Sequence, residues 1–166
     1  MFSEGNLPIP RYSISSQHGP FLSPQELVAA IHGRTDCDLP LARWARTLGS
    51  LYRDWLAEPT AVRVGQQIVE VVHDIDVWIT ARLPRPRPGV PRGLDSVGGI
   101  IGRVAEAAAC AHWALHNTRD TNQRHRAWNH LAEMREGYED MVRLILDGSI
   151  HLPESWPSIS WSAPTM

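Results

Sequence analysis

Apolar residues recur along this chain at intervals of three and four in several long stretches, the spacing of helices that each bury one face. From residue 41 the stripe is Leu41, Trp44, Leu48, Leu51, Tyr52 and Trp55. From 64 it is Val64, Ile68, Val71, Val72, Ile75, Ile79 and Leu83. Towards the C-terminus Ala127, Leu131, Met134, Tyr138, Met141 and Ile145 alternate by four and three, as in the seam of a coiled-coil-like bundle. Residues 95–117 are different, because two faces are non-polar. Val97, Ile100, Ile101, Val104, Ala108 and Ala111 form a broad one, and Gly98, Gly102, Ala105 and Ala109 form a second of small residues. A helix buried on two sides belongs in the middle of a bundle, where small residues let a neighbouring backbone approach. The first use of that small face is packing inside the chain; the second is a seam between subunits.

The punctuation agrees with the periodicity. Ser23-Pro24-Gln25-Glu26 places an N-cap serine, a proline at the first helical position and a glutamate three residues after the cap, which is a capping box. A short helix to about residue 32 follows from it. The segment LPRPRPGVPRG over residues 83–93 has four prolines and no helical option, so it predicts an extended, solvated connection. Gly148 is a natural helix stop. These signals predict an all-α four-helix bundle with helices near 40–57, 60–82, 95–117 and 122–147 behind a short N-terminal capping helix. They divide the chain into an irregular arm over 1–22, the helical domain over 23–147, and a Pro- and Trp-containing tail over 148–166. Trp156 and Trp161 are costly to leave in water, so the tail is expected to dock on the bundle or on a second subunit.

Composition narrows the partners. A hydrophobic content of 43%, a charged content of 20% and a net charge of -2 describe one ordinary globular domain, not a disordered chain or a general polyanion binder. Arg82, Arg85, Arg87 and Arg92 cluster about the proline-rich segment, but no aromatic residue interleaves them for base stacking, so no nucleic-acid partner is expected. The first residues resemble no secretory signal and no apolar run reaches membrane-spanning length, which predicts a cytoplasmic protein without membrane contact. Cys37 and Cys110 are far apart and fit reduced thiols. All 16 Lys+Arg residues are arginine. The missing lysine removes a Schiff-base amine and a Walker A lysine, although an arginine-, alanine- and proline-rich bias also suits a GC-rich genome.

Candidate chemistry lies on the central helix. His112 and His116 stand one turn apart, a spacing able to hold a metal, but Trp113 occupies the place of the HExxH glutamate and no third ligand is marked. No metal and no cofactor are expected, and the two histidines read first as caps on a small-residue seam. Glu70 and His73 match one Glu-x-x-His element of di-iron bundles, and the second copy is missing because Glu106 is followed by Ala109 and Glu133 by Glu136. The acidic run Glu133, Glu136, Glu139 and Asp140 reads as a solvated face. Asp95, Arg103, His112 and His116, with Asp76, Trp44 and Trp55, make up the candidate pocket. Arg103 has a structural alternative, an ion pair with Glu106 or Asp76.

Several segments together resemble an uncharacterised helical domain-of-unknown-function family found mainly in actinobacteria. Residues 48–59, Leu-Gly-Ser-Leu-Tyr-Arg-Asp-Trp-Leu-Ala-Glu-Pro, are similar to its Leu-Ala-x-Leu-His-Glu-Ala-Arg-Leu-x-Asp-Pro segment, and Asp74-Ile75-Asp76-Val77-Trp78 to its Asp-Ile-Asp-Arg-Trp. Gly93 to Arg103 resembles its His-Thr-Glu-Thr-x-Gly-x-x-x-Asp-Arg-Leu, and Arg126 to Asp140 with Gly148 to Pro153 follow its last helix and ending. The resemblance spans most of residues 23–153 and implies a helical fold without implying a reaction. Both named motifs are degenerate here: Tyr52, Arg53, Trp55, Gly93 and Gly102 replace polar positions, while Asp76, Asp95, Ser96 and Arg103 keep their chemical type.

Two functions remain. The leading one is a non-catalytic bundle that binds a small molecule or a partner protein, as a homodimer. The rival is a small enzyme, of the kind that tailors specialised metabolites, in which Asp95 and Arg103 orient a substrate and a neutral His112 or His116 serves as base.

Overall fold

A computed structural model of the chain describes residues 18–154. It contains five helices: α1 (Pro24–Ile31), α2 (Pro40–Ala57), α3 (Val62–Thr80), α4 (Val97–Asn117) and α5 (Thr121–Leu146). Three of them begin on a side-chain cap. Ser23 and Glu26 make the reciprocal capping box, with both hydrogen bonds at 3.2 Å. Ser96 caps α4, and Asp120 caps α5 by accepting from the backbone N–H groups of Asn122 and Gln123. Gly148, at φ +67°, ends α5 in the left-handed conformation that glycine adopts without strain.

The architecture is an all-α bundle organised around α4, which packs on α1, α2, α3 and α5. Both of its non-polar faces are used. Ile101, Val104, Ala108 and Ala111 are buried on the broad face, and Gly98, Gly102, Ala105 and Ala109 on the small one. Gly98 lies so close to α3 that a Cβ there would meet the Val72 carbonyl oxygen at 2.3 Å. The small face is therefore filled within the chain and offers no seam to a second subunit.

Among the described residues α5 packs only on α4 and α1, and α3 only on α2 and α4. What spans α3 and α5 is the proline-rich segment clipped to the start of the tail. Arg87 donates its backbone N–H to the Gly148 carbonyl, and Gly93 and His151 bond through the His151 and Pro91 carbonyls, all at 2.9 Å. The Arg87 guanidinium adds a bond to Ser149 Oγ at 2.7 Å. The segment is extended and exposed, as its prolines require, but its backbone is not left to solvent alone: the tail supplies the partners that it cannot find within itself.

The last residues of the N-terminal arm lie on the bundle. Phe21 and Leu22 are buried in the core, and the Tyr138 hydroxyl donates to the Leu22 carbonyl at 2.6 Å, tying the entry to α1 onto α5. Burial pushes the Tyr138 phenol far above its ordinary range, so it remains a donor. Two apolar residues outside any periodic pattern gave no signal of this. Trp156, Trp161 and residues 1–17 lie outside the described residues. Within them, no helix is long and apolar enough to cross a membrane, and Cys37 and Cys110 are free thiols.

Candidate functional site

The candidate residues fall into three places along α4, the first two of which share Asp76. At its first turn the polar groups serve the helix itself. Ser96 Oγ accepts from the Gly99 N–H at 3.1 Å, and the buried Asp76 of α3 accepts from the Gly98 N–H through Oδ1 at 2.6 Å. A carboxylate at the positive end of a helix, taking a charge-assisted bond from its first turn, stabilises that end. Arg103 Nε donates to Asp95 Oδ2 at 2.5 Å. The pair is exposed, with side chains 65% and 40% accessible, so the expected ion pair to Glu106 or Asp76 is replaced by one at the surface. The reason is geometric: Asp95, just before the N-cap, lies within reach of an arginine two turns on.

Beside this pair stands Tyr52 of α2. Burial and then the Glu106 carboxylate push its phenol up to about 12, with Arg103 opposing. Burial and Glu106 raise the Cys110 thiol as well. Both shifts disfavour the anion, so neither group is prepared as a nucleophile at neutral pH. Trp55 is half-buried edge-on to Tyr52 at 6.5 Å, and Trp44 is half-buried edge-on to Trp78 at 5.9 Å. The Arg82 guanidinium covers Trp78 at 4.2 Å. These two tryptophans belong to separate aromatic pairs and do not line one pocket. Trp113 and Trp128 are exposed, at 45% and 46%.

The second place is a cavity of about 220 Å3 between the end of α3, the start of α4, the end of α5 and the clipped segments. Leu83, Val97, Ile145, Ile150 and Leu152 supply most of its apolar wall. Asp76 is the one buried charged side chain in the lining; Arg85, His151 and Glu154 are exposed at the rim. Of the seven sequence candidates, only Asp76 reaches this cavity.

The third place is the far end of α4. His112 and His116 stack edge-on at 4.5 Å, and His32 at the end of α1 joins them at 6.0 Å from His112. Nine residues of helix rise, about 13 Å, separate His112 from Arg103, so the Asp95–Arg103 pair and the histidines do not share one small site. Among the described residues no three His, Cys, Asp or Glu side chains are placed to hold a metal ion. His32 escaped the sequence reading because nothing local marks it: it is a helix-ending residue, and only the docking of α1 carries it to His112.

No known protein family, curated protein or solved structure matches this chain.

Proposed function

We propose that this chain is a non-catalytic binding module whose ligand site is the cavity at Asp76. One observation carries the reading: a small, partly open and mainly apolar cavity with one buried carboxylate in its wall. At about 220 Å3 the cavity is smaller than the roughly 300–1,000 Å3 of pockets for drug-sized ligands. Its ligand is correspondingly small. The polar group in that wall is a carboxyl, whose oxygens accept hydrogen bonds, so the inserted end of the ligand presents a donor, an ammonium group above all, and the remainder is apolar. Of the four residues that keep the chemical type of the actinobacterial helical family the chain resembles, Asp76 alone lines the cavity; Asp95, Ser96 and Arg103 cap and pair at the start of α4. The rival enzymatic reading needs Asp95, Arg103 and a histidine together, and the length of α4 holds them apart.

The test is an NMR titration of the methyl groups of Val97, Ile145 and Ile150 with benzylamine and, separately, with benzyl alcohol. Saturable shifts are expected with the amine at millimolar concentration and weaker ones with the alcohol, and Asp76→Asn should remove most of the difference. Methyl groups that stay unmoved with both would show the cavity to be a packing gap and end the reading.

A further inference from the structure

Three imidazoles and two arginines meet where α1 ends against α2 and α4. α1 ends on α2 because Gly49 has no side chain: a Cβ there would lie 2.0 Å from the Ile31 carbonyl oxygen. Arg53, one turn further along α2, donates to that same carbonyl at 3.3 Å. Gly33, at φ +69°, then turns the chain so that Arg34 closes back on Ala29 through its backbone N–H at 2.8 Å. His32 is thereby set 6.0 Å from His112, which in turn meets His116 at 4.5 Å. Three elements thus bring three imidazoles and two guanidiniums to one end of the bundle.

Every charged or titratable neighbour that acts on His32 and His112 is a base. Arg34, His112 and Arg53 act on His32; His116, Arg53 and Arg34 act on His112. No carboxylate from α1, α2 or α4 is among them. Burial first, and these neighbours second, hold both imidazoles below their ordinary value of 6.5. In the free protein at neutral pH they are uncharged, and each retains one ring N–H as a donor. An anion placed over the stack reverses the balance. It meets the guanidiniums directly, and each proton that the rings then take up adds a charge-assisted hydrogen bond.

We propose that His32, His112, His116, Arg34 and Arg53 form a binding site for a small soluble phosphoryl anion, seated over the imidazole stack where α1, α2 and α4 meet. A phosphoryl group suits the site better than a single carboxylate does. It carries up to two charges and three acceptor oxygens, which matches several donors spread over adjoining rings and arginine forks. The site is separate from the cavity at Asp76 and does not depend on it.

The probe is inorganic diphosphate, added to the full chain at constant ionic strength while the imidazole carbon-bound protons of His32, His112 and His116 are followed by NMR. Saturable shifts at all three rings are expected at pH 6.5, with the titration midpoints of His32 and His112 moved to higher pH and binding about tenfold tighter than at pH 8. Arg34→Gln and His116→Gln each alter an exposed side chain, and each should weaken binding roughly five- to tenfold while leaving the unfolding midpoint in place. Rings that do not respond to about 10 mM diphosphate, or that respond equally to chloride at matched ionic strength, would overturn the site. A protein that binds vesicles of phosphatidylcholine with phosphatidic acid while diphosphate leaves the rings unshifted would overturn the soluble ligand and place the phosphoryl group on a lipid.

Discussion

The two ends of α4 treat polar residues in opposite ways. At the first turn Ser96, Asp76 and Asp95 are acceptors, and each takes an N–H from the helix or from its own arginine. At the last turns His112 and His116 meet His32 and face Arg34 and Arg53, so bases look at bases. In the first arrangement the Asp76 bond joins α3 to α4, and the other two stay at the start of α4. The second leaves basic groups gathered without an acid.

The strongest way to break the first end is Gly98→Ala. Its new Cβ would sit 2.3 Å from the Val72 carbonyl oxygen, a backbone atom that cannot yield without parting α3 from α4. A loss of about 1–3 kcal/mol in urea unfolding is expected, even against the gain of roughly 1 kcal/mol that alanine brings to a helix interior. Gly99→Ala is the matched control. It meets side chains rather than backbone, the Asp95 carboxylate at 3.1 Å and Ser96 Oγ at 3.3 Å, and should cost clearly less than Gly98→Ala.

The second end is sharpened by pH. His32 and His112 have folded values below the ordinary 6.5, so between the folded and unfolded values the unfolded chain binds more protons. Stability from this source is complete above about pH 6.5 and falls as pH drops through the lowered folded values. Urea midpoints from pH 8 to pH 5 should show the fall, His112→Gln should flatten it, and saturating diphosphate should flatten it too. A profile unchanged in His112→Gln would remove that ring from the effect.

The smallest effect belongs to Arg103→Gln. The Asp95–Arg103 pair is short but exposed, and solvent screens it, so the unfolding free energy should change by no more than about 0.5 kcal/mol. A loss several times larger would mean that the pair holds the α3–α4 junction as Asp76 does.

Much of the fold was legible in the residues because its signals are local. The apolar stripes and the Ser23–Glu26 box placed five helices to within two residues at most ends, and the double-faced pattern of residues 95–117 marked α4 as the centre. The candidate site was legible only in part. Asp76, Asp95 and Arg103 were named, but Arg103 was expected at Glu106 or Asp76, since a periodic pattern says which side of a helix a residue occupies and not which neighbour comes within 3 Å. Trp44 and Trp55 were grouped by type, and the structure gives each its own aromatic partner. His32, Arg34 and Arg53 carried no signal at all, because a lone histidine at a helix end and two arginines on solvated positions look like ordinary surface.

The sequence by itself determined the helices, their caps and the breaks between them, because hydrogen bonds within a helix and the φ restrictions of proline and glycine act over a few residues. The tertiary structure alone decided the rest. It closed the gap between α3 and α5 with the clip of residues 87–93 on 148–151, set Asp76 under the first turn of α4, and brought His32 to His112 across Gly49. Those contacts join residues from 22 to 80 positions apart, and only the way the helices pack selects them.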